Sequence, residues 1–199
     1  YELRVTSECV RYRLDTLEGG LTLQLKMTGL FSVYNTLAAV SVAMLEGLGL
    51  GHIKAVLEEL AGVAGRFELI DLGQDFTVIV DYAHTPDGLE NVLRAVREFA
   101  QAQVITVFGC GGERDRSKRP LMGEIAGMYS DFCIVTSDNP RGEDETQIIG
   151  EIIPGLQKEM GKQEYLVLPE RKEAIVRALQ MAKTDDVVVI AGKGHETYQ

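Results

Sequence analysis

From residue 65 onward, short apolar β-branched runs alternate with helical stretches, and few folds accommodate that alternation. The runs are FTVIVDYA (76–83), QVITVFGC (103–110), DFCIVTSD (131–138), EYLVLP (164–169) and DVVVIAGK (186–193), each ending in turn or polar residues. Between them lie PDGLENVLRAVREFA, KRPLMGEIAGMY, ETQIIGEIIPGLQKEM and ERKEAIVRALQMA, all of helical character. The runs are apolar throughout rather than half polar, as in a parallel sheet covered by helices on both faces. The pattern predicts a doubly wound, mostly parallel α/β domain over 65–199.

Residues 1–64 have a different texture. Two β-prone runs, LRVTSECVRYRL and GLTLQLKM, flank Gly19-Gly20 and read as a hairpin. LFSVYNTLAAVSVAMLEGLGL then reads as a long, largely buried helix ended by Gly47, Gly49 and Gly51, followed by a shorter one over HIKAVLEELA. Gly62 to Gly65 reads as a hinge between two units.

The formal net charge of -10 argues against a nucleic-acid partner, which needs a basic stripe to displace counterions. A small anion remains compatible, because a local arginine cluster outweighs a distant acidic surface. No apolar run reaches the roughly 18 residues that span a bilayer, so no membrane role is expected. The start at YELRVTSECV, inside a strand-like run and without methionine or leader pattern, reads as a fragment. Cys9, Cys110 and Cys133 form no CxxC pair and read as reduced thiols. His52, His84 and His195 lack metal-ligand spacing, so no protein-only zinc site is expected.

In doubly wound sheets ligands bind beyond the carboxyl ends of the strands. Here those ends are Asp81 to Thr85, Gly109 to Arg116, Asp138 to Arg141, Pro169-Glu170 and Gly192 to Glu196. Each has a plain reading. Asp81 and Thr85 suit a turn and a helix cap before Pro86, and Asp138-Asn139-Pro140 is a turn signal beside a solvated Arg141. Arg114, Arg116, Lys118 and Arg119 suit a solvated basic loop. Their joint appearance along one edge favours a binding site. Two familiar motifs fail: Arg114 stands where a dinucleotide fingerprint needs its third glycine, and Gly192-Lys193 is followed by Gly194 rather than the Ser or Thr of a phosphate-binding loop.

The blocks GRFE (65–68), DYAHTPDGLENVL (81–93), FGCGGERDRSKRPLMGEIA (108–126), TSDNPR (136–141) and AGKGHETYQ (191–199), with YNTLAA (34–39) upstream, resemble the Mur ligase family in order and spacing. Ser32 departs from it, standing where the family usually carries asparagine. The resemblance implies a monomeric, cytoplasmic, three-domain ATP-dependent ligase of peptidoglycan precursor synthesis. Residues 1–64 would be the end of its central ATP-binding domain, and 65–199 most of its C-terminal domain. The phosphate-binding loop, the Mg2+ ligands and a carbamylated lysine would lie before Tyr1, and a few closing residues after Gln199. The chain alone would then not turn over, acting at most as an amino-acid-binding module.

The resemblance also implies roles. Family members phosphorylate the D-glutamate carboxylate of a UDP-N-acetylmuramoyl-dipeptide, and the incoming amino acid's amine attacks the acyl phosphate. Asn35 would face adenine, Arg66 the ATP phosphates and Asp81 the ribose, with His84 near the nucleotide. The DNPR block is assigned to members that add meso-diaminopimelate, whose far carboxylate a guanidinium fork reads well. Arg141 would be that reader, with Arg114, Asp138, Asn139, Pro140, Gly192 and Glu196 completing the amino-acid site and Glu196 accepting its ammonium. A lysine-adding or folylpolyglutamate-type ligase is the alternative within the family.

Overall fold

The structure, a computed structural model, describes residues 3–6, 9–196 and 198–199. Ser7 and Glu8 of the first strand-like run, and Thr197 of the closing motif, lie outside the described residues. The chain divides into two compact units, one up to Val63 and one from Ala64.

The first unit is a three-stranded antiparallel sheet with two helices. β1 (Leu3–Val5), β2 (Val10–Thr16) and β3 (Gly19–Leu25) pair in sequential order, so the expected hairpin has a third strand on its outer side. Alternation sorts the faces: Val10 and Tyr12 of β2 and Leu21, Leu23 and Leu25 of β3 point inward, while Arg11 and Gln24 point out. Helices α1 (Leu30–Leu45) and α2 (Leu50–Glu59) close this core with Val33, Val40, Ile53 and Leu57. Tyr12 hydroxyl and Thr36 Oγ1 share a hydrogen bond of 2.6 Å across it.

The expectation of a largely buried first helix is corrected here. Only Ser32, Val33, Thr36 and Val40 of α1 are buried, while Tyr34 is 65% and Leu45 86% exposed. The sheet meets the helix along one stripe, and the apolar residues off that stripe have nothing in this unit to cover them.

The second unit is the expected α/β sheet. Its strand order is β4-β5-β9-β6-β7-β8, with every pairing parallel except the short antiparallel edge β4 (Glu68–Leu69), which its sequence did not announce. The other strands are β5 (Thr77–Asp81), β6 (Val104–Phe108), β7 (Phe132–Val135), β8 (Tyr165–Val167) and β9 (Val187–Ala191). The crossovers are α3 (Pro86–Arg97), α4 (Lys118–Tyr129), α5 (Glu145–Glu159) and α6 (Arg171–Met181). In β9, Val187, Val189 and Ala191 face the core that contains α3, α4 and α5, while Val188 and Ile190 face α6. Burial on both faces is why these strands carry no polar alternation.

Helices α4 and α5 approach closely because Gly123 and Gly155 lie between them: a Cβ at Gly155 would overlap the Pro120 carbonyl. That approach brings the N-terminal ends of both helices under the loops that follow β6 and β7. Among the described residues no helix is long and apolar enough to cross a membrane.

Candidate functional site

β9, the last strand in sequence, inserts between β5 and β6, so the ends of five parallel strands lie along one edge. Asp81 ends β5 and is buried. Its Oδ2 accepts from the Phe67 amide at 2.7 Å and its Oδ1 from the Ala83 amide at 2.6 Å. Burial pushes its carboxyl above the usual range, opposed by those two amides and by the Arg66 charge. Gly192, just past β9, donates its N–H to the Asp81 carbonyl at 3.1 Å.

Around Asp81 the structure gathers the other residues expected to meet a nucleotide in this unit. The Arg66 guanidinium lies 4.2 Å from the Tyr82 ring centroid, a cation–π arrangement that holds a flexible charge in one place. His84 packs edge-on against the same ring at 4.8 Å, with Nδ1 3.1 Å from the Tyr82 carbonyl. The His195 ring lies 6.3 Å from Tyr82. Thr85 is a helix cap, its Oγ1 accepting from the Gly88 amide at 3.2 Å ahead of Pro86. Asn35 is exposed on α1 of the first unit.

The loops after β6 and β7 are stitched together. Gly112 donates its N–H to the Asn139 carbonyl at 2.9 Å, and Arg141 Nη1 returns a bond to the Gly112 carbonyl at 2.8 Å. A Cβ at Gly112 would collide with the Pro140 carbonyl, so this contact requires glycine. Gly111 shows what surrounds the loop: a Cβ there would stand 2.8 Å from Arg141 Nη1 and 3.9 Å from Arg114 Cγ. Around Gly111, then, stand the Arg141 guanidinium, the aliphatic stem of Arg114 and the main-chain carbonyl of Asn139. Both Arg114 and Arg141 remain exposed.

Asp138 is buried and takes the Asn139 amide on Oδ1, and a Cβ at Gly192 would lie 3.2 Å from its Oδ2. Pro140 turns the chain, its carbonyl accepting from the Glu143 amide at 3.0 Å. Glu196 Oε2 accepts from the Gly194 amide at 2.8 Å and borders an open cleft of about 990 Å³ between the end of β9 and the start of α6.

Three charged residues here were not expected to be buried. Lys193 is 9% exposed, and its Nζ bridges Asn139 Oδ1 at 3.0 Å and the Tyr198 carbonyl at 2.8 Å. Burial lowers its affinity for the proton. Arg171 lines the cleft, its Nη2 donating to the Ala191 carbonyl at 2.9 Å while Nη1 is buried without a hydrogen-bond partner. Arg119, read above as part of a solvated basic loop, is fully buried. It binds Glu143 (2.9 Å) and Glu151 (2.7 Å), which supply the compensation a buried guanidinium needs. One signal was available for two of them. Arg119 and Arg171 stand in the first turn of α4 and α6, where a cation opposes the helix dipole and needs another reason to be there.

Cys110 follows β6 but is no nucleophile at neutral pH: burial pushes its thiol up to about 12. Among the described residues no three His, Cys, Asp or Glu side chains form a metal-binding group.

Comparison with known proteins shows the family. The family model described as "Mur ligase, glutamate ligase domain" matches residues 65–194. The chain is 57% identical over its whole length to the UDP-N-acetylmuramoyl-L-alanyl-D-glutamate–2,6-diaminopimelate ligase of Syntrophomonas wolfei, and 50% identical to that of Geobacillus kaustophilus. In both cases it spans 40% of the relative. A solved structure of a ligase of the same name superposes with a TM-score of 0.71 at 36% identity, covering all of this chain and 40% of the other. By the family model that covers residues 65–194, the chain belongs to the Mur ligases, through their glutamate ligase domain.

Proposed function

We propose that this chain is the amino-acid-binding end of a monomeric, cytoplasmic ATP-dependent ligase. The enzyme joins meso-diaminopimelate to UDP-N-acetylmuramoyl-L-alanyl-D-glutamate in peptidoglycan precursor synthesis. Residues 65–199 form the amino-acid domain, and residues 1–64 the end of the central ATP-binding domain.

The observation that carries the reading is the Arg141 guanidinium held against Gly111 and Gly112, with the stem of Arg114 beside it. Meso-diaminopimelate has a carboxylate at each end, and two guanidinium forks suit two carboxylates better than a point charge would. The Arg141 guanidinium is anchored through one nitrogen to the Gly112 carbonyl, leaving its remaining donors for a far carboxylate. Lys193 occupies the Asn139 amide oxygen, which leaves the amide NH2 free to act as a second donor. Glu196 is the acceptor for an ammonium group. Asp138 holds the loop by binding its own neighbour's amide, and Gly192 lets the strand end pass close to it.

Arg66, Asp81 and His84 are our candidates for the ATP side, with Asn35 for adenine. The fit rests on Arg66 being fixed over Tyr82 and on Asp81 being held rigidly by two backbone amides, each carboxylate oxygen keeping a second lone pair for a hydroxyl. ATP, when bound, supplies the phosphoryl group that makes the D-glutamate carboxylate reactive toward an amine. We place the Mg2+ ligands outside the described residues.

Arg141→Ala tests the reading. With the guanidinium removed, the far carboxylate loses a charge-assisted hydrogen-bonded partner, at a cost of about 1.5–3 kcal/mol. The variant is expected to lose at least about tenfold in meso-diaminopimelate affinity while lysine binding and nucleotide binding stay unchanged. An equal loss of nucleotide affinity contradicts it.

A further inference from the structure

We propose that Arg119, acting through Glu143, is a positioning residue that locks the two strand-end loops carrying Arg114 and Arg141 into one rigid reader. Its consequence for ligand binding rests on the amino-acid reading above.

The connections run through named atoms. Arg119 Nη1 and Nη2 both donate to the Glu143 carboxylate, at 3.0 and 2.9 Å, a two-pronged pair of fixed geometry. Nη1 also reaches Glu151 on α5 at 2.7 Å, and Nη2 the Gly111 carbonyl at 3.4 Å. Glu143 in turn accepts from the backbone N–H of Glu113. One guanidinium on α4 thereby ties the loop after β6, through Gly111 and Glu113, to the loop after β7, through Glu143.

Both loops need holding. Glu113 (φ 52°) and Arg141 (φ 52°) each adopt the left-handed backbone conformation that costs a non-glycine residue free energy and persists only when its surroundings enforce it. They flank the shared contact between Gly112 and the carbonyls of Asn139 and Pro140. Arg119 also has a buried Nε without a hydrogen-bond partner. A buried ion pair with an orphaned donor is a poor source of net stability, which leaves geometry as its contribution.

The charges facing Glu143 are Arg119 from α4, Arg116 from the preceding loop and Glu151 from α5. The Glu113 carboxylate lies close by, where a Cβ at Gly142 would stand 2.6 Å from its Oε1. Arg119, the Glu113 amide and Arg116 hold the Glu143 carboxyl below its usual range, so the lock persists through that range and is released only at still lower pH.

Glu143→Gln keeps the size of the side chain and removes its charge, and Arg119→Lys keeps a charge but loses the fork. Both are compared with wild type by amide hydrogen exchange and by calorimetric titration with meso-diaminopimelate. The expected result is exchange at Gly112 and Glu113 about tenfold faster or more, with the Val188 and Val189 amides of β9 unchanged, because opening is confined to the loops. Below the usual carboxylate range the wild type loses the same protection relative to intrinsic exchange, and Glu143→Gln loses less on acidification. Meso-diaminopimelate affinity falls in parallel, roughly tenfold. Unchanged exchange at Gly112 and Glu113, or equal acceleration at β9, overturns the proposal. A wild type that binds no diaminopimelate refutes the amino-acid reading instead, and the exchange result still decides the lock.

Discussion

Lys193 Nζ lies 3.0 Å from Asn139 Oδ1, so a residue after β9 fixes which end of an amide after β7 is left free. An asparagine amide presents a donor or an acceptor depending on a half-turn of its side chain, and a cation on one end settles the choice. Lys193→Met keeps the buried stem but frees the amide. Meso-diaminopimelate affinity is expected to fall about tenfold, the worth of one such bond. Titration of the variant, with its thermal midpoint as a control, checks this; unaltered affinity contradicts it.

Glu151 joins Arg116 and Arg119, and these arginines depress its carboxyl from 4.5 to about 2. Its folded-state pKa lies below the unfolded value. The stability it contributes is therefore complete above about pH 4.5 and lost as pH falls toward 2. Glu151→Gln should flatten that part of the stability–pH curve while lowering the plateau at neutral pH. Denaturant melts across this window show whether the slope is lost; a variant curve parallel to wild type would refute the assignment.

Gly155 faces the Pro120 carbonyl, and helices α4 and α5 have no room for a Cβ there. Gly155→Ala is expected to destabilise the second unit by about 1–3 kcal/mol, since overpacking outweighs the gain in helix propensity. Gly150, on the same helix but open to space, is the control: Gly150→Ala should be neutral or stabilising by up to about 1 kcal/mol. Equal effects at both positions would remove the close-approach argument.

The second unit was legible because burial on both faces strips its strands of polar residues, and because turn chemistry punctuates each strand end. The first unit was less so. A mean apolar character over residues 30–50 does not say how many sides of α1 are covered, and the three-stranded sheet covers one. Among the site residues, the DNPR and GKGHE blocks are local and visible. The burial of Arg119 is not local, because its partners Glu143 and Glu151 stand on a different loop and helix. Lys193 escaped notice for the same reason: its acceptor, Asn139, is 54 positions away.

The central claim is that Arg141 reads the far carboxylate of meso-diaminopimelate, with Arg114 on the carboxylate nearer the reacting amine. Calorimetric titration of the wild-type chain with meso-diaminopimelate, and separately with L-lysine, tests it most directly. The account predicts binding of diaminopimelate and at least about 100-fold weaker binding of lysine, because a site built for a charged group rejects the analogue that lacks it. Equal affinity for the two amino acids would contradict it.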